Sequence, residues 1–133
     1  MTAYPKPRED ATNAPLLDAW RMGKLMLPRC KDCGAVHFYP KPVCPSCWSD
    51  RFEWFEAKGT GKIVAWSLVW KPHHDAFMGE EPIVLVEVGL PEGPTMLSRI
   101  VGENRQSAKS GAAVKLVPMP EAARYPLPTF VLT

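Results

Sequence analysis

The hydrophobic and polar positions of this chain change their period twice. Leu16, Leu17 and Trp20 recur at helical spacing behind Asn13 and Pro15, residues suited to an N-cap and a first turn. Gly23 supplies a stop, so a helix of about ten residues is expected. From Lys24 to Glu56 the pattern breaks up, and prolines at Pro28, Pro40, Pro42 and Pro45 exclude long helices. Beyond Gly59-Thr60-Gly61, strands alternate with turn residues. The spacing predicts strands over Lys62 to Trp70, Ile83 to Leu90, Thr95 to Ile100, Ala113 to Met119 and Thr129 to Leu132.

In the second of these strands Val84, Val86, Val88 and Leu90 form one face and Ile83, Leu85 and Glu87 the other, which predicts a strand that is central or covered on both sides. In the third, Thr95, Leu97 and Arg99 lie opposite Met96, Ser98 and Ile100. The compact turn Pro91-Glu92-Gly93-Pro94 should pair these two strands antiparallel. The polar run from Gly102 to Gly111 has room for a helical turn between strands three and four. Five short strands in a row fit the oligonucleotide/oligosaccharide-binding barrel, the OB-fold, better than a sandwich of about seven.

The apolar stripe of the first helix has two uses. It covers the protein's own core, the favoured reading, or it presents Leu16 and Trp20 to another subunit. Before it, Met1 to Thr12 mixes prolines and charges with few large hydrophobes, the composition of an arm that stays mobile unless a partner holds it. No stretch reaches the roughly 18 apolar residues of a membrane helix. Met1-Thr2-Ala3-Tyr4-Pro5 also lacks the apolar core of a secretory signal, so a soluble cytoplasmic protein is expected. Sixteen basic and fourteen acidic residues leave a formal charge of +2, which argues against non-specific nucleic-acid binding.

Cysteine adds the clearest chemistry. Cys30-x-x-Cys33 and Cys44-x-x-Cys47 are separated by the ten residues from Gly34 to Val43. Each pair can aim two sulfurs at one point, and four thiolates close a tetrahedron around one zinc ion. Iron in a rubredoxin-like site is the remaining alternative; a disulfide framework suits an exported chain instead. With all four vertices filled by protein, the ion holds structure and leaves no position for a substrate.

Other candidates are weaker. His37 lies between the pairs and suits a solvated or supporting role. His73-His74-Asp75 places a histidine beside a carboxylate, but neighbours in a loop rarely converge on one target. The chain has no Gly-x-Ser-x-Gly, no phosphate-cradling loop and no fifth cysteine, so no catalytic residue is assigned. Trp48, Trp54, Trp66 and Trp70, with Phe38, Tyr39, Phe52 and Phe55, exceed what a small core needs. Exposed members would serve a protein interface or stack on an adenine ring.

The run Leu27-Pro28-Arg29-Cys30-Lys31-Asp32-Cys33-Gly34, the proline-rich hairpin through Cys47, Trp54, Gly59 to Ser67, Val86 to Gly93 and Pro128-Thr129-Phe130 together resemble the DUF35 family. The resemblance implies a mainly β protein: an N-terminal arm and short helix over 1–26, a rubredoxin-like zinc ribbon over 27–58 and a five-stranded OB-fold barrel over 59–133. It also implies a non-catalytic accessory subunit of a thiolase-fold enzyme acting on acyl-CoA, with aldolase or hydratase-like partners ranked second. Coenzyme A would be bound jointly with the partner, and Lys58, Lys71 and Arg99 are candidate phosphate contacts. The alternatives are a single-stranded nucleic-acid-binding module and, last, an enzyme working through His73, His74 and Asp75.

Overall fold

The computed structural model describes residues 3–133; Met1 and Thr2 of the expected arm lie outside them. Helix α1, Ala14–Trp20, has seven residues rather than about ten. It stops early because the amides of Met22 and Gly23 tighten onto the carbonyls of Ala19 and Trp20, three residues back instead of four. Asn13 stands at the N-cap position but does not cap. Its side chain accepts from the Asp10 amide at 2.9 Å and donates to the Arg8 carbonyl and the Tyr39 hydroxyl, which ties the arm to the ribbon.

Strands β1, Met26–Cys30, and β2, Phe52–Glu56, pair antiparallel as a small separate sheet. The barrel comprises β3, Thr60–Val69; β4, Ile83–Gly89; β5, Thr95–Ile100; β6, Ala113–Leu116; and β7, Phe130–Leu132. Its closed order is β3-β4-β5-β7-β6, the connectivity of an OB-fold, with β6 returning to pair with the start of β3. A bulge between Ile63 and Ala65 lets the long β3 bend around this closure. The polar connection between β5 and β6 holds a 3-10 turn at Arg105–Ser107.

One cluster of buried side chains runs through helix, ribbon and barrel. Leu16, Leu25 and Leu27 meet Ile63, Val84, Val88, Met96, Ile100 and Phe130. Full burial of each such side chain stabilises by roughly 1.5–3 kcal/mol, so the ribbon is fused to the barrel by packing as well as by sequence. Trp20 is 2 % exposed and anchors a second cluster with Val101, Val117, Ala122 and Tyr125. Its indole N–H donates to the Tyr125 carbonyl at 2.8 Å.

The favoured reading of the first helix holds, since Leu16 and Trp20 are interior and offer no docking face. Two other expectations change. Strand β4 is central, paired with both β3 and β5, but it is not covered on both sides: it buries Val84, Val86 and Val88, whereas Leu85 on its other face is 47 % exposed, because a barrel wall has one dry side. The arm is also not free of the domain. Tyr4 stacks on Tyr125 and packs against Phe77, and its hydroxyl donates to the Glu80 carboxylate at 2.7 Å.

Candidate metal centre

The two cysteine pairs fold into two copies of one turn. In the first, the Gly34 amide donates to the Cys30 carbonyl and the Cys30 amide to the Ala35 carbonyl; in the second, Trp48 donates to Cys44 and Cys44 to Ser49. The sulfurs follow the same repeat. Amides of Asp32 and Cys33 point at Cys30, those of Ser46 and Cys47 at Cys44, that of Ala35 at Cys33 and that of Ser49 at Cys47. Each turn needs a residue with left-handed backbone after its second cysteine. Gly34 supplies it at φ 76°, whereas Trp48 adopts φ 68° despite its bulk.

All four Sγ atoms lie within 4.8 Å of one another, with Cys30 to Cys47 at 3.5 Å and Cys33 to Cys44 at 3.6 Å. Four sulfurs at about 2.3 Å from one ion would stand about 3.8 Å apart, so the cluster fits a tetrahedral metal. Electrostatics agree. Burial opposes the Cys30 thiolate, but the two amides and the adjacent thiols outweigh it and lower its pKa to about 6. Cys47 receives one favourable amide, but the neighbouring sulfurs and burial push it up to about 12. Four thiolates this close need a cation to neutralise them. A bound zinc or iron ion would supply that charge and a cross-link between the two turns.

A polar clasp joins the turns beside the sulfurs. The Ser49 hydroxyl and Arg51 Nη1 both donate to Asp32, the latter at 2.9 Å, and the Arg51 amide donates to Ser49 Oγ. The sequence reading missed this clasp, because a serine and an aspartate 17 residues apart carry no local signal of pairing. His37 is neither solvated nor attached to the cluster. Both of its ring nitrogens are buried without a hydrogen-bond partner, and burial, then Lys41, lower its pKa.

The remaining candidates do not converge. His74 Nδ1 accepts from the Ala76 amide at 3.0 Å and caps the 3-10 turn Asp75–Phe77, while His73 stays exposed. Arg99 is committed: Nη2 meets Glu80 Oε1 at 3.1 Å, and the guanidinium sits 5.8, 5.5 and 5.7 Å from the ring centroids of Tyr4, Phe77 and Tyr125. It is not a free phosphate contact. Lys58 and Lys71 are exposed. Of the surplus aromatics, Phe38, Tyr39, Trp54 and Phe55 pack against the shared core, whereas Trp48, Trp66 and Trp70 are 79 %, 47 % and 58 % exposed.

A four-cysteine ribbon on an OB-fold barrel defines a class of two-part β proteins. Family models agree: the ChsH2 rubredoxin-like zinc ribbon domain matches residues 17–53 and the ChsH2 C-terminal OB-fold domain residues 54–117. The chain belongs to the DUF35 family. A DUF35 domain-containing scaffold protein of Pyrococcus furiosus is 32 % identical over 71 % of this chain and 68 % of its own length. A probable enoyl-CoA hydratase alpha subunit of Thermomonospora curvata is 31 % identical over 95 % of this chain, which spans only 39 % of that relative. Among solved structures, an Ltp2-ChsH2(DUF35) aldolase chain superposes with a TM-score of 0.80 at 29 % identity, covering 96 % of this chain and 98 % of that one. Two of these relatives are named for a hydratase and an aldolase, which overturns the ranking of such partners behind a thiolase.

Proposed function

We propose that this chain is a non-catalytic accessory subunit of an aldolase-, hydratase- or thiolase-type enzyme that acts on an acyl-CoA, and that Cys30, Cys33, Cys44 and Cys47 hold one structural zinc ion. The observation that carries the reading is the near-complete match to the DUF35 chain of an aldolase assembly. Two features of the chain support it. His74 of the His73 to Asp75 loop is spent on a local cap, and the metal cluster leaves no open ligand position. The exposed Trp48, Trp66, Trp70, Leu85 and Leu97 supply apolar surface of the kind protein interfaces use. With Arg99 engaged, any contribution to a coenzyme A entrance falls to Lys58, Lys71 and the exposed aromatics.

The test is co-expression with aldolase- and thiolase-type subunits encoded beside it. Native mass measurement should give a persistent complex, and CoA-dependent cleavage or condensation should require both subunits. A chain that stays alone and binds single-stranded oligonucleotides with a steep salt dependence would instead establish the nucleic-acid alternative.

A further inference from the structure

The barrel is closed by a single point of contact on one side. Strand β5 pairs with β4 along all of Thr95 to Ile100, but with β7 only at Ile100 opposite Phe130. The direction of the remaining β5 backbone groups follows from the ladder. The Leu90 amide donates to the Pro94 carbonyl at 3.0 Å, which makes that couple a hydrogen-bonded pair. Antiparallel pairs alternate, so Val88 with Met96 and Val86 with Ser98 are bonded, whereas Gly89 with Thr95 and Glu87 with Leu97 are not. Thr95, Leu97 and Arg99 therefore turn their N–H and C=O groups away from β4. The far side gives the same parity, because the Val101 amide donates to the Phe130 carbonyl at 3.0 Å.

At Arg99 and Val101 that edge faces β7; at Thr95 and Leu97 it faces no strand. Among the described residues neither of these two makes a backbone hydrogen bond there. A groove of about 430 Å³ lies along this edge, lined by Phe38 and Tyr39 of the ribbon, by Leu127 and Pro128 before β7, and by Glu87. Leu97 is 78 % exposed, and Glu87 has no ion-pair partner among the described residues.

We propose that this notch receives an extended segment of the partner enzyme subunit as an added strand on β5. The claim rests on the accessory-subunit reading and names where the partner enters. Donors and acceptors at Thr95 and Leu97 fit a strand of about three residues, at about 3.3 Å each. Phe38, Tyr39 and Leu127 select an apolar side chain, and Glu87 selects a basic neighbour.

The geometry gives an unusual test. Proline at residue 97 removes only an amide that β4 does not use, a position where a strand tolerates it. Leu97→Pro should keep the fold, shown by an unchanged thermal melt and far-UV spectrum, and weaken assembly with the enzyme subunit at least tenfold. Leu97→Ala, which keeps the amide, should weaken it less. In wild type, the amides of Thr95 and Leu97 should exchange rapidly in the free chain and become protected in the complex, a measurement that decides the matter even where the proline variant misfolds. Assembly with unchanged exchange at both amides, or a folded Leu97→Pro chain binding at wild-type affinity, overturns the added strand alone. Protection that appears in the isolated chain as its concentration rises assigns the edge to self-association and also overturns it. If wild type does not assemble with the enzyme subunit at all, the accessory reading falls and this assignment with it.

Discussion

Trp48 shows how much the metal turns constrain single residues. The repeated hydrogen bonding of the two turns dictates a left-handed residue at both positions, and only the first has glycine. From the sequence, Gly34 was legible as part of a turn, whereas a tryptophan at such a backbone angle was not, because nothing local favours it. His37 carries a second constraint. Its nitrogens are buried without partners, so the protein holds it neutral, with a pKa below its ordinary 6.5. The unfolded chain therefore takes up a proton there before the folded one does. Stability linked to His37 is complete above about pH 6.5 and erodes as pH falls. His37→Phe removes the proton site and the unpaired nitrogens while keeping a ring against Phe52. With metal bound throughout, denaturant titrations from pH 7.5 to 5.5 should show the wild type losing stability more steeply than the variant; parallel profiles would show that His37 does not titrate on unfolding.

The elements differ in what holds them. Four of the five barrel strands were placed within a few residues from alternation and turn residues alone. The fourth, β6, ends at Leu116 because Pro118 has no N–H with which to extend the ladder. The ribbon strands were not legible as strands. Pro28 interrupts β1, and both strands exist by virtue of pairing with each other and of burying Leu27 in the shared core. That packing separates the ribbon into two parts with different dependence on the metal. Leu25, Leu27 and Ala57 belong to the common core, whereas the turns around Cys33 and Cys47 are exposed and rely on the sulfur cluster and the Asp32 clasp. Chelation, or Cys44→Ser, should release amide exchange at residues 32–35 and 46–49 first, with β1 and β3 to β5 remaining protected. Loss of protection across the whole barrel in one step would show instead that the metal governs the entire core, and unchanged exchange in the turns would refute a bound structural ion.

On the scale of the whole molecule, the sequence reading failed where a residue's role depends on what packs beside it. Leu85 resembles a core residue until the barrel wall turns it outward. The arm is the clearest instance, since its composition resembles that of a free tail. Tyr4 nevertheless bridges to residues some 76 positions away, and it borders a cavity of about 830 Å³ with Lys6, Trp20 and Arg124. Burial, then Glu80 as hydrogen-bond acceptor and as charge, raises the Tyr4 phenol above its ordinary 10.0. A group whose folded pKa is raised contributes fully below its unfolded value and loses that contribution as pH climbs through the folded one. Tyr4→Phe, which keeps the stacking on Tyr125, should therefore cost about 1 kcal/mol at neutral pH. The gap to wild type should narrow above about pH 10. Tyr4→Ala loses the ring contacts too and should cost about 2–3 kcal/mol, with protease cleavage within residues 3–12 becoming faster while the barrel stays intact. Equal cleavage rates for wild type and Tyr4→Ala would show that the arm is held by Asn13 and its partners on the ribbon, and not by the clasp on Glu80.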